Sequence, residues 1–298
     1  MKRIIFMLML ILNFCGVTFA GHEPPGRRDA AQIKEIIQSC KKHSDPATHK
    51  ELNIVLVATD TNYSPQSHQY LTWQRKWSNL LSGKSESNLD CSMYGPTTRY
   101  KKDCGVSIEN AYHFPSDGQL KNADLVIFYC YVDFNGERLT RLENYVKRGG
   151  GLVFIHNTVW TNNPGLAEII GVAFIFDKSK YIEGPCRIEL DTSKDICHAM
   201  PDHFDLVDEV YYQGKNQKEV ETVASWEQKT EDGKIVTWPI VWKYSLGKGR
   251  VFVNMLGHYN WTFDDPFYRL ITLRGIAWAG GSDVYRFDEN ALLDSWSR

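Results

Sequence analysis

The sequence predicts an α/β protein built on a doubly wound, mostly parallel sheet with helices on both faces. Three observations carry this. Short apolar runs alternate with amphipathic helical stretches from residue 53 to residue 155. The first of those runs, NIVLVA, is apolar on both faces, as a strand covered on two sides must be. Residues 251–279 (VFVNMLGHYNWTFDDPFYRLITLRGIAWA) read as a buried strand, a short polar loop and a closing helix.

In chain order, residues 29–43 have helical character, with Ala30, Ile33, Ile36, Ile37 and Cys40 on one side. Residues 53–58 form the first strand and end in the polar loop Thr59-Asp60-Thr61-Asn62. Ser67 or His68 opens a helix in which Leu71, Trp73, Trp77, Leu80 and Leu81 recur at helical spacing. A second strand is expected at 106–111, then a short helix started by Pro115-Ser116-Asp117, a third strand at 124–129 and a helix at 137–148. Gly149 to Gly151 stop that helix, and the fourth strand, 152–155, ends at His156. Beyond it the rhythm changes. A short helix at 164–170 precedes strands at 187–190 and 220–226, and residues 239–244 pair with 250–254 through a Gly247/Gly249 turn. Asp264 or Asp265 caps the last helix, Pro266 takes its first position and Gly280-Gly281 closes it. Residues 283–298 are expected to wrap the surface as a tail.

At 298 residues, 43% apolar and 13% aromatic, the chain suffices for one well-buried core without a second full domain. A net charge of −2 implies no nucleic-acid or anionic-membrane partner. Residues 1–20 carry the basic pair Lys2-Arg3, a short apolar run and Thr18-Phe19-Ala20 as a cleavage site, the pattern of a signal peptide. The mature protein is therefore expected to be exported, periplasmic or secreted, and no later segment reaches the length of a membrane span. Organisation follows: signal peptide 1–20, a partly helical extension 21–51, the main domain 52–287 with an insertion at about 83–105, and a tail 288–298. Six cysteines remain after cleavage, and export makes disulfides available to them. Cys91–Cys104 would close the insertion and Cys186–Cys197 a hairpin-sized loop, while spacing alone leaves the connectivity open.

Open α/β sheets bind ligands at the carboxyl ends of their strands. His156 and His258 both follow strand tips on one edge of the sheet and are expected to share a pocket. His68 and His198 also stand at strand ends or turn loops. Imidazole there binds a metal through a neutral nitrogen or shuttles protons near neutral pH. No HxxxH or HxH pair brings ligands together locally, so the cofactor stays open, a divalent metal among the options. The pair Asp208-Glu209 in FDLVDEVYY is placed to orient a histidine or to act as acid or base. The catalytic candidates are thus His156, Glu209 and His258. The substrate-binding candidates are His68, Trp160, Tyr212, Tyr259 and Trp261, the aromatic rings offering flat faces to a sugar. Taken singly, each has an ordinary explanation as a hydrogen-bonded loop residue or a core aromatic. There is no GxSxG elbow, no P-loop and no GxGxxG.

The segments KRGGGLVFIH (147–156), ICHAMPDHFDLVDEVYY (196–212) and 247–281 resemble the ThuA-like (trehalose utilisation) family of the class I glutamine amidotransferase-like superfamily. The resemblance spans about residues 52–287; the insertion and the segment before Glu51 depart from it. It implies a flavodoxin-like α/β sandwich and a link to disaccharide or glycoside breakdown. It carries over His68, His156, His198, Glu209 and His258 as the recurrent polar positions. Where true amidotransferases end a strand in a nucleophilic cysteine, this chain has His156, which argues against glutamine hydrolysis. The expected function is an exported protein acting on a small carbohydrate or glycoside by acid–base or metal-assisted chemistry. The alternatives are a non-catalytic sugar-binding protein on the same fold and an interaction domain of a larger exported assembly.

Overall fold

The computed structural model describes residues 22–45, 47, 49–60, 64–82, 90–95 and 104–298. The segment expected to be a signal peptide, and most of the insertion, lie outside the described residues. The chain runs α1 (Ala30–Lys41), β1 (Leu52–Ala58), α2 (Tyr70–Ser82), β2 (Val106–Tyr112), α3 (Asp117–Asn122), β3 (Leu125–Phe128), α4 (Gly136–Lys147) and β4 (Gly151–Ile155). It continues with α5 (Pro164–Ile170), β5 (Val172–Ala173), β6 (Lys180–Leu190), β7 (His203–Tyr212) and β8 (Lys215–Asn216). Last come β9 (Glu221–Lys229), β10 (Ile235–Leu246), β11 (Gly249–Asn254) and α6 (Pro266–Ala279).

Nine strands form one sheet in the order β2-β1-β3-β4-β11-β10-β9-β6-β7. The first five are mutually parallel and make the doubly wound α/β body. β3 and β4 are short, continuous apolar runs buried throughout, because helices cover both faces, whereas the edge strand β2 is largely polar and exposed. The remaining strands join as antiparallel neighbours. β10 carries Pro239 within the sheet, where its missing N–H falls at a register shift against β9.

Several elements differ from the sequence expectation for physical reasons. β6 is an eleven-residue strand where 187–190 alone was expected, since Gly184-Pro185 interrupts the apolar run. Its burial alternates because only one face is covered. Asp265 caps α6, accepting from the N–H groups of Phe267 and Tyr268, while Asp264 is used otherwise. Asp264 accepts from Ser92 Oγ, from the N–H groups of Met93, Tyr94 and Gly95, and from Arg269 at 2.9 Å, and so anchors the loop before the second strand. The tail does not merely wrap the surface. Phe287 and Ala291 are buried, and Asp288 takes a bidentate ion pair from the fully buried Arg274 of α6 at 2.9 and 2.8 Å. Arg274 also bonds the Ile196 and His198 carbonyls and Cys40 Sγ, so the N-terminal helix, the tail and α6 are locked to one another. All six described cysteines are free thiols, so neither Cys91–Cys104 nor Cys186–Cys197 is formed. Cys40 meets Arg274, Cys104 lies by Asn290, and Cys197 donates to the Val223 carbonyl. No helix among the described residues is long and apolar enough to cross a membrane.

Candidate functional site: a three-histidine, one-glutamate cluster

β4 and β11 are parallel neighbours in register, with Ile155 opposite Asn254, so the residues that follow them emerge side by side. His156 follows β4 and is fully buried. Its backbone is left-handed, φ 53°, a conformation that costs a non-glycine residue of order 1–3 kcal/mol unless its surroundings impose it. The ring is held by its neighbour strand: Nδ1 lies 2.8 Å from the Met255 carbonyl. A carbonyl oxygen only accepts, so Nδ1 carries the proton and Nε2 is turned into the cluster.

After β11 the chain turns at Gly257, φ 121°, on its way to His258. A Cβ there would sit 2.9 Å from the Phe263 ring, so only glycine fits. The turn is tied down from the far edge of the sheet. Asp208 of β7 accepts from the N–H groups of Gly257 at 2.8 Å and His258 at 2.9 Å. The order of strands places β7 last, yet this contact brings it back over the tip of β11, so the sheet curls around the site. His68 precedes α2 instead of opening it, and it too is left-handed, φ 53°. Its N–H donates to the His258 carbonyl at 3.2 Å, joining the loop after β1 to the loop after β11.

These connections bring His68, His156, Glu209 and His258 together. Each offers one ligating atom, and the four atoms lie within 4.8 Å of one another. Nε2 of His156 is 2.9 Å from Nε2 of His68, 2.9 Å from the Tyr211 hydroxyl and 3.3 Å from Glu209 Oε2. The same Oε2 is 3.3 Å from His258 Nδ1, while His258 Nε2 faces Glu183 at 3.6 Å.

The electrostatics follow from burial and crowding. Burial, reinforced by the charges of His156 and His258, drives the His68 imidazole down to about 2, so it is neutral. Burial works to raise the Glu209 carboxyl, but hydrogen bonds and charge from His156 and His258 outweigh it and hold the group below the usual carboxylate range. Burial likewise works to lower His258, and Glu209, Asp208 and Glu183 together lift it above the ordinary imidazole value. Burial pushes the Asp208 carboxyl up, opposed by His156, His258 and the Gly257 N–H.

Beside the cluster lies a cleft of about 450 Å³ lined by His68, Tyr131, Asn157, Trp160, Phe176, Tyr181, Glu209 and Tyr211. Tyr131 and Tyr181 are half exposed or more, and Trp160 packs edge-on against Tyr211 with ring centroids 5.1 Å apart. The remaining sequence candidates fall elsewhere. Tyr212 does not reach the cleft: Glu209 and Tyr211 share one face of β7, and strand alternation sends Tyr212 to the other, against Trp226 and Trp238. Tyr259 lies edge-on to His258 and donates to Glu183, stacked on Trp261 at 4.1 Å. Trp261 itself is buried, its indole N–H donating to the Val207 carbonyl at 2.8 Å, and serves as support. His198 stands outside the cluster, 5.1 Å from the His43 ring. Sequence reasoning missed Tyr211, Glu183 and the structural use of Asp208. Period-two alternation from Glu209 would have found Tyr211; Glu183 lay in a stretch given no strand.

The family model described as "Trehalose utilisation" matches residues 96–279, more than half of the chain. The chain belongs to the ThuA family. Among solved structures, a ThuA-like protein from Bacteroides uniformis ATCC 8492 is similar with a TM-score of 0.58 and 17% identity, covering 81% of this chain and 98% of that one. A ThuA-like protein from Parabacteroides merdae ATCC 43184 gives 0.55 and 18%, covering 78% of this chain and 91% of that one. At these identities the likeness is one of fold, and the α/β class of the ThuA chain stands on it. No curated protein matches this ThuA sequence.

Proposed function

We propose that this chain is an exported carbohydrate-processing enzyme that acts on a disaccharide or glycoside, with His156, Glu209 and His258 as its catalytic groups. The observation that carries the proposal is the convergence of three imidazoles and one carboxylate on the wall of an aromatic cleft. Trp160, Phe176, Tyr131 and Tyr181 offer flat apolar faces to a sugar ring, and Asn157 and Tyr211 offer hydrogen bonds to its hydroxyls. A neutral histidine beside an ionised carboxylate supplies proton acceptors at the reacting oxygen, or ligands for a metal that polarises it. Glutamine hydrolysis is a poor fit, because β4 is followed by His156 where a thiolate nucleophile would be needed.

The test is a panel of disaccharides and glycosides, trehalose among them, incubated with the purified chain and followed by product detection and calorimetry. Product release supports the enzyme. Heat of binding with no product over a long incubation would transfer the cleft to the second reading, a sugar-binding protein, which the aromatic lining also favours. Export is checked separately, by N-terminal sequencing of the mature protein, which should begin at Gly21.

A further inference from the structure

We propose that His68, His156, Glu209 and His258 hold a divalent transition-metal ion. The inference adds a cofactor to the centre described above, and rests on the carbohydrate reading only for what the ion would do there.

Four features of the site point the same way. The first is the donor set. Three imidazole nitrogens and one carboxylate oxygen lie within 4.8 Å of one another. Nitrogen-rich sets of this kind suit zinc, iron, nickel or copper, whereas magnesium and calcium take oxygen ligands. The second is the tautomer of His156. With Nδ1 donating to the Met255 carbonyl, Nε2 is the nitrogen left facing the cluster to take a metal, and a backbone carbonyl behind a ligating histidine is the usual support of a metal site.

The third is charge. Asp208 is fully buried and Glu209 nearly so, and among the described residues neither makes an ion pair with a lysine or arginine. Two buried carboxylates that no lysine or arginine reaches leave room for a cation at the cluster, because buried charges are as a rule paired or bound to metal. A dication at the cluster would contact one carboxylate and lie close to the other. The fourth is the backbone. His68 and His156 are both held at φ 53°, and the two left-handed residues are the two whose Nε2 atoms meet. Strain at two adjoining donors is stored where a ligand constellation must be preformed.

The ion would not be sealed in. His68 and Glu209 both line the aromatic cleft, so a substrate oxygen arriving there would meet the metal directly. That is the arrangement of a catalytic site, which keeps a coordination position open, and not of a structural one.

The experiment uses the full chain, stripped with a chelator and titrated with Zn²⁺, then with Co²⁺ as a spectroscopic probe. The expected result is one equivalent bound per chain by elemental analysis, with cobalt giving visible absorption bands of a nitrogen-rich site. Glu209→Gln and His258→Ala should each weaken binding beyond the roughly 100-fold typical of changes behind a ligand. His198→Ala, outside the cluster, should bind as the parent does. A chain that takes up no metal, or takes it up equally well in both cluster variants, overturns the proposal. The outcomes for the two readings separate: metal bound with no sugar consumed removes the carbohydrate assignment alone, and sugar consumed by a chain that takes up no metal removes the metal alone.

Discussion

Nε2 of His68 and Nε2 of His156 stand 2.9 Å apart, with the Tyr211 hydroxyl and Glu209 Oε2 gathered at the same point. Because Nδ1 of His156 is taken up by the Met255 carbonyl, Nε2 is the nitrogen left to face three polar neighbours. The site is built to concentrate donors on one small volume, and the fold goes to some length to do it. Two left-handed histidines, a glycine turn and an edge strand drawn back over the sheet all serve that convergence.

The curl of the sheet depends on Asp208. Replacing it by alanine leaves the Gly257 and His258 N–H groups buried without their acceptor, which costs about 3 kcal/mol at the usual penalty for such groups. Asp208→Asn keeps one acceptor oxygen and should cost less. Urea denaturation measures both, and a change under 0.5 kcal/mol, roughly the scatter of surface substitutions, for the alanine variant would show that the contact does not hold the turn.

A second anchor lies under the closing helix. Asp264 and Arg269 are both fully buried and paired at 2.9 Å, and Asp264 also collects three backbone N–H groups from residues 93–95. Breaking one partner of such a pair typically costs about 3–5 kcal/mol. Asp264→Ala should therefore lower the denaturation midpoint strongly and open the Cys91 segment to proteolysis. Limited proteolysis with an unchanged pattern would contradict this.

The cleft makes a sharp contrast between two aromatics that the sequence alone ranks together. Trp160→Ala should raise KM about tenfold with little change in kcat, the loss expected when a stacking face worth about 1 kcal/mol or more is removed. Tyr212→Ala should leave KM where it was, because that ring packs on Trp226 and Trp238. Equal effects from the two would place the sugar elsewhere.

Bound metal would also stabilise the fold by mass action. At zinc concentrations about 100-fold above the dissociation constant the gain is about 2.7 kcal/mol, and chelation should remove it. Thermal melts with zinc and with chelator measure it. Identical melting curves would mean that no ion is held by the folded state.

Much of the parallel body was legible because its signals are local. NIVLVA, DLVIFY and LVFIH are continuous apolar runs, and Ser116, Asn135, Asn163 and Asp265 cap the helices that pack on them. The antiparallel half was harder to read. β6 contains a glycine and a proline, and its one covered face gives an alternating pattern instead of a run. The cluster was legible only in part. His156 and His258 announce themselves at strand tips, and His68 at a loop and Glu209 in an acidic pair are candidates that the family resemblance also carries over. What places the four in one volume is the return of β7 across the sheet, a long-range contact between residues 208 and 258 that no local spacing encodes. For the same reason Tyr211 was overlooked in favour of Tyr212: the choice between them is the register of one strand.

The most direct test of the central claim is turnover of the responding sugar by Glu209→Gln and His258→Ala beside the parent chain, with circular dichroism to follow the fold. The account predicts losses of about 100-fold or more in kcat, in the range of acid–base contributions, from proteins that remain folded. Folded variants that turn over sugar at the parental rate would contradict it.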